Sequence, residues 1–167
     1  MDQSWKVVHA KKLKLRRNRT PMNSTNYPYE TQIQVTFRDL DALGHVNNAV
    51  YFTYLESARI QYITKFMEQS LPNRFDLLSI PIILVEASCT YKSQALFGEK
   101  LTVGVGVSRF GTKSFDLMYK IMGEDGRLVA NAKTVQVMYN YNTNSAFPIP
   151  PEIKTAVFNF QTDWVPD

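Results

Sequence analysis

Residues 49–69 read AVYFTYLESARIQYITKFMEQ, about twenty positions without proline or glycine. Tyr51, Tyr54, Leu55, Ala58, Tyr62 and Phe66 recur there at spacings of three, four and one, which lays them on one stripe of a helix. The polar stretch 39–48 ahead of it holds Gly44 and the good caps Asn47 and Asn48, where such a helix starts. Pro72 and Asn73 close it after about Gln69. Phe52, Ile60 and Ile63 stand off the main stripe, so the helix is expected to be covered on more than one side.

The flanks have another period. Thr31 to Arg38 alternates, with Ile33, Val35 and Phe37 on the expected buried face of a strand. After the helix, Ile80 to Tyr91 is nearly continuous apolar sequence, as expected of a strand covered on both faces. Leu101, Val103, Val105 and Val107 then alternate, with Gly104 and Gly106 sharing the other face. Two such glycines predict a close approach of something bulky, for which the central helix is the candidate. Phe115, Leu117, Tyr119 and Ile121 make the next strand, and the Gly123–Gly126 turn leads into a last one from Leu128 to Tyr141. Pro148, Pro150 and Pro151 mark a link to a short, helix-compatible segment at Glu152 to Phe160. One strand, one long helix and four consecutive strands predict an α+β fold: an antiparallel sheet of about five strands with a helix packed on it.

The bulk numbers fit one domain, since 167 residues with 44% apolar content can build a single core. The net charge of +4 comes from an arm: seven bases face one acid, Asp2, in the first twenty residues, whereas 12 bases face 14 acids afterwards. Residues 1–29 therefore read as a basic, flexible extension and 30–167 as the folded domain, whose near-neutral body argues against a nucleic-acid partner. The lone Cys89 forms no internal disulfide and is expected in the core, which suits a reducing cytoplasm. No apolar run is long enough to span a bilayer, and no signal-peptide core follows the first charges, so no membrane partner is expected.

The stretch Phe37-Arg38-Asp39-Leu40-Asp41-Ala42-Leu43-Gly44-His45-Val46-Asn47-Asn48, continued by Tyr51, Tyr54, Glu56, Ala58 and Arg59, resembles the 4-hydroxybenzoyl-CoA thioesterase family and its acyl-CoA thioesterase relatives. The likeness extends through Tyr91, Phe97-Gly98-Glu99, the 109–114 turn and Pro148-Ile149-Pro150, roughly residues 30 to 155. It implies a hot-dog fold, in which the sheet wraps around the long helix, in homodimers or homotetramers with active sites at subunit interfaces. The implied activity is hydrolysis of an acyl-CoA thioester, with CoA as part of the substrate, no separate cofactor and no metal.

A thioester carbonyl needs a nucleophile or an activated water, and something positive where charge collects on oxygen. The position matching the family's carboxylate is Asp41, able to attack directly or act as base on water. Asn48, at the expected helix N-terminus, matches the amide that polarises the carbonyl, where free N–H groups and the helix dipole favour negative charge. Gly44 allows close backbone approach or serves a tight turn, and His45 either hydrogen-bonds near the carbonyl or holds the loop. Glu56 is the reserve carboxylate; its plain reading is a partner for Arg59 one turn on. Lys92, Arg109, Lys113 and Ser114 are candidate contacts for the CoA phosphates. The loop lacks the Asp-x-Asn-Pro-x-x-His run expected of a hot-dog hydratase, and a non-catalytic acyl-CoA sensor is the alternative reading.

Overall fold

The computed structural model describes residues 25–70, 81–162 and 164–166. The basic arm up to residue 24, the Pro72–Asn73 helix stop and Ile80 lie outside the described residues. The elements run β1 (Tyr29–Gln34), a 3-10 turn (Phe37–Asp39), α1 (Val50–Ser70), β2 (Ile82–Tyr91), β3 (Lys100–Phe110), β4 (Ser114–Met122), β5 (Leu128–Asn140), β6 (Ser145–Ala146) and α2 (Pro151–Phe160). They form one antiparallel sheet in the order β1-β3-β4-β5-β2, and the two-residue β6, which alternation could not reveal, pairs with β5.

The sheet curves because α1 touches both of its edges, β1 and β2, as well as β3. That is the expected hot-dog layout. All six residues of the predicted helix stripe are at most 5% exposed and meet Leu101, Val103, Val105, Leu117, Tyr119 and Ile121 from the sheet. Truncating a fully buried leucine such as Leu101 in a core of this kind costs about 2–5 kcal/mol. Ile63 is buried as well, whereas Phe52 and Ile60 are 37% and 36% exposed. Against α1, α2 buries Ala156 and Val157, and its neighbour Gln161 accepts from the buried Tyr62 hydroxyl at 2.7 Å.

Three expectations need correction. First, β1 ends at Gln34 because the Asp39 carboxylate accepts the Thr36 N–H and hydroxyl, each at 2.7 Å, and turns the chain. Val35 stays buried at 1% while Phe37, expected on the same face, is 79% exposed. Second, β2 is an edge strand, not one covered on both faces: Leu84 and Val85 are 44% and 58% exposed. Its register shifts between Leu84 and Glu86, the sort of bulge that edges carry. Third, the central helix is not what crowds the two glycines. A Cβ on Gly104 would lie 2.8 Å from Tyr27 Cβ and one on Gly106 would lie 2.7 Å from Pro28 and 2.9 Å from Trp164. The segment before β1 and a C-terminal tryptophan therefore cover the outer face of β3, which is buried on both sides.

Candidate active site

The loop between the 3-10 turn and α1 is tied at both ends by Asp39. Its side chain holds Thr36 and its carbonyl accepts the Asn47 N–H at 2.8 Å. Burial works against ionising the Asp39 carboxyl, but the Thr36 N–H and hydroxyl outweigh it and hold the pKa below the usual carboxylate range. Between these ties the chain folds back: the Asp41 N–H donates to the His45 carbonyl at 3.0 Å and the Gly44 N–H to the Asp41 carbonyl at 3.1 Å. Gly44 has φ +82°, while a Cβ there would meet nothing within 4 Å, so glycine is needed for the turn and not for space.

Asp41 Oδ1 accepts the Leu43 N–H at 2.8 Å, and Oδ2 lies 3.5 Å from His45 Nδ1. With its side chain 25% exposed, the carboxylate is held by its own loop yet open to a reactant. Among the described residues the other contact of His45 Nδ1 is the Val46 carbonyl, also at 3.5 Å. Asn47 acts as the cap, its Oδ1 accepting the Ala49 N–H at 2.9 Å. Asn48 is left exposed at the helix end; among the described residues no acceptor takes its N–H. The first turn of α1 carries no acid, so the positive end of the helix is not neutralised from within.

Asp41, His45 and Asn48 share one cavity of 440 Å³ with Tyr51, Tyr91 and Lys92. Its far wall is the end of β2 and the following turn, fixed where the Lys92 N–H donates to the Val129 carbonyl at 2.8 Å and the Val46 N–H to the Ala95 carbonyl at 3.0 Å. Arg127 donates to Glu99 at 2.7 Å and to the Gln94 carbonyl at 2.9 Å, bracing the same wall. The Tyr91 hydroxyl crosses the cavity to donate to the Asn48 carbonyl at 2.9 Å. Burial pushes the Tyr51 phenol up to about 12 and raises that of Tyr91, so both stay protonated at neutral pH and neither serves as the base.

The family model for the thioesterase-like superfamily matches residues 35–157, from the end of β1 into α2. The chain belongs to the thioesterase-like superfamily. Membership makes it a thioester hydrolase. Among its relatives, the long-chain acyl-CoA thioesterase FadM of Escherichia coli is 29% identical over 129 residues, covering 75% of this chain and 93% of that protein. A Thermus thermophilus thioesterase solved with coenzyme A and zinc is 28% identical and superposes with a TM-score of 0.73 over 85% of this chain and all of its own. A predicted thioesterase from Bacillus stearothermophilus, 23% identical, shares the fold at a TM-score of 0.71 over 83% of this chain and 98% of its own.

Within this thioesterase-like chain the remaining candidates do not converge on Asp41. Glu56 pairs with Arg59 at 3.5 Å, as its plain reading anticipates, and lies outside the cavity lining. Arg109 is held by Asp116 through bonds of 3.0 and 3.3 Å, and Lys113 donates to the Ala146 carbonyl at 3.0 Å. Ser114 pairs with Val137, which on its other side pairs with Ile83, so Ser114 lies level with the end of β2 opposite Tyr91, about 26 Å away at the rise of a strand. Tyr51 and Tyr91, whose rings meet at 5.0 Å, are among the lining residues that the sequence does not assign to the chemistry, with Val46, Ser93 and Gln94. Tyr51 stands at the start of the α1 stripe and Tyr91 at the end of β2, and only the fold brings the two to one cavity.

Proposed function

We propose that this chain hydrolyses acyl-CoA thioesters at the Asp41 cavity. The observation that carries the reading is the pairing of an accessible Asp41 carboxylate with an uncommitted Asn48 N–H at the positive end of α1, on the same cavity. A thioester carbonyl seated between them meets the carboxylate on one side and the amide at its oxygen. Asp41 attacks the carbonyl to give a mixed anhydride, which water then cleaves, or it takes a proton from a water that attacks directly; in both cases the CoA thiolate leaves and is protonated. The likeness to FadM supports an acyl-CoA substrate.

The site is completed by a second copy of the chain. The edge of β2 leaves Leu84 and Val85 exposed, and a two-fold axis pairing two such edges antiparallel covers them. That pairing carries the Lys113–Ser114 end of one protomer to the Tyr91–Lys92 end of the other, where cations and amides can meet the CoA phosphates. Thiol release from a panel of short, medium, long and aromatic acyl-CoAs tests the activity, and hydroxylamine trapping separates anhydride from direct hydrolysis. A protein that binds acyl-CoA tightly and releases no thiol from any of them would be the sensor instead.

A further inference from the structure

The turn from Ser93 to Glu99 is the wall on which the Asp41 loop leans. Its first residues are tied to β5: the Lys92 and Ser93 N–H groups donate to the Val129 carbonyl at 2.8 and 3.2 Å, and the Ser93 hydroxyl to the Leu128 carbonyl at 2.8 Å. Its last residues are tied to the end of β1, where the Gly98 N–H donates to the Val35 carbonyl at 3.0 Å and the Val35 N–H to the Glu99 carbonyl at 2.9 Å. Gln94 and Ala95 lie between these ties. The Ala95 carbonyl accepts the Val46 N–H at 3.0 Å, one residue after His45, whose own carbonyl accepts the Asp41 N–H at 3.0 Å.

One side chain from the β4–β5 turn grips this middle section. Arg127 Nη2 donates to the Gln94 carbonyl at 2.9 Å and to Glu99 Oε2 at 2.7 Å, while its Nη1 donates to Asp125 Oδ1 at 2.9 Å. Glu99 Oε2 also accepts the Leu96 N–H at 3.2 Å, so the Arg127–Glu99 pair holds the turn on both sides of Ala95. The Glu99 side chain is 12% exposed, and its Oε1 is buried with no hydrogen-bond partner among the described residues. A carboxylate this buried cannot lose its cation and stay where it is, and the turn it carries moves with it. Arg127 itself lies outside the cavity lining.

We infer that Arg127 is a positioning residue for thioester hydrolysis: acting through Gln94, Ala95 and the Val46 N–H, it sets where the Asp41 carboxylate stands relative to the Asn48 N–H. This rests on the reading of Asp41 as the reacting carboxylate. Catalysis is steep in position, and a shift of about 1 Å caused from outside the site costs about a hundredfold. Because Arg127 lines no part of the cavity, its loss falls on kcat and leaves KM nearly unchanged.

The test is thiol release from butanoyl-, decanoyl- and benzoyl-CoA by the full chain, with folding checked by circular dichroism and urea unfolding. Arg127→Met is expected to lower kcat about thirtyfold or more, with KM within about threefold of native. Gly123→Ala keeps every charged group but places a Cβ 2.6 Å from Arg127 Nη1 and 2.7 Å from Glu99 Oε1, so it displaces the same pair. It is expected to lower kcat about tenfold in the same pattern, and it decides the matter if Arg127→Met does not fold. A role in stability alone would not give the third result: in an Asp41→Asn background, Arg127→Met should slow single-turnover release by less than about twofold more, because the group it positions is already gone. A folded variant with native kcat, a loss that appears in KM instead, or an undiminished loss in the Asp41→Asn background overturns this inference and leaves the Asp41 reading standing. No thiol release by the native protein from any of the three substrates removes both.

Discussion

Replacing Asp39 by asparagine removes a charge at the point where both ends of the Asp41 loop are tied. In the native chain Oδ2 accepts the Thr36 N–H and hydroxyl at 2.7 Å each, and the residue is 8% exposed. A hydrogen bond to a charged group is worth about 1 kcal/mol more than a neutral one, so two of them put the loss at about 2 kcal/mol, or a fall of about 4–8 °C in Tm for a chain of this size. The sign with pH follows from the lowered Asp39 pKa. A carboxyl whose folded pKa lies below its unfolded value stabilises above about pH 4, and that contribution disappears as pH falls through the folded value. Urea unfolding of native and Asp39→Asn protein should therefore show the largest gap near pH 7 and a closing gap toward pH 3. A gap of equal size at every pH, or none at pH 7, would refute the assignment of the loop's stability to this carboxylate.

Gly104→Ala drives a Cβ into Tyr27 and the backbone-proximal atoms of Thr25, so it should cost about 2 kcal/mol or more and free the segment before β1 to proteolysis, read by limited digestion. Tyr91→Phe deletes the donor to the Asn48 carbonyl; stability should drop by about 1 kcal/mol and kcat several-fold with KM little changed, as steady-state kinetics would show. Glu56→Gln, outside the cavity, should leave short-chain kcat within a few-fold of native, and a loss of orders of magnitude would move the catalytic carboxylate onto α1.

Where one physical signal dominated, the fold was legible in the sequence. Tyr51, Tyr54, Leu55, Ala58, Tyr62 and Phe66 sit on a helical period and all are buried; Leu117, Tyr119 and Ile121 sit on a strand period and are 0% exposed. Phe37 was misplaced because a side-chain turn at Asp39 overrode alternation two residues earlier. The apolar run of β2 cannot distinguish a strand covered by its own chain from an edge waiting for another, and composition is the same in both. Gly104 and Gly106 correctly announced close packing, but the partner is distant in sequence and carries no periodic mark. In the site, Asp41, His45 and Asn48 lie within one short motif and line one cavity together with Lys92, while Gly44 makes the turn between them. Arg109, Lys113 and Ser114 do not, because strand register sends them to the far end of the sheet.

The most direct measurement is single-turnover thiol release from an acyl-CoA by native and Asp41→Asn protein, with folding checked by circular dichroism. Asparagine keeps the shape and can still accept the Leu43 N–H, but it offers neither a nucleophilic carboxylate nor a base, so release should slow by roughly three orders of magnitude or more with substrate binding retained. A folded Asp41→Asn protein that releases thiol at the native rate would contradict the account.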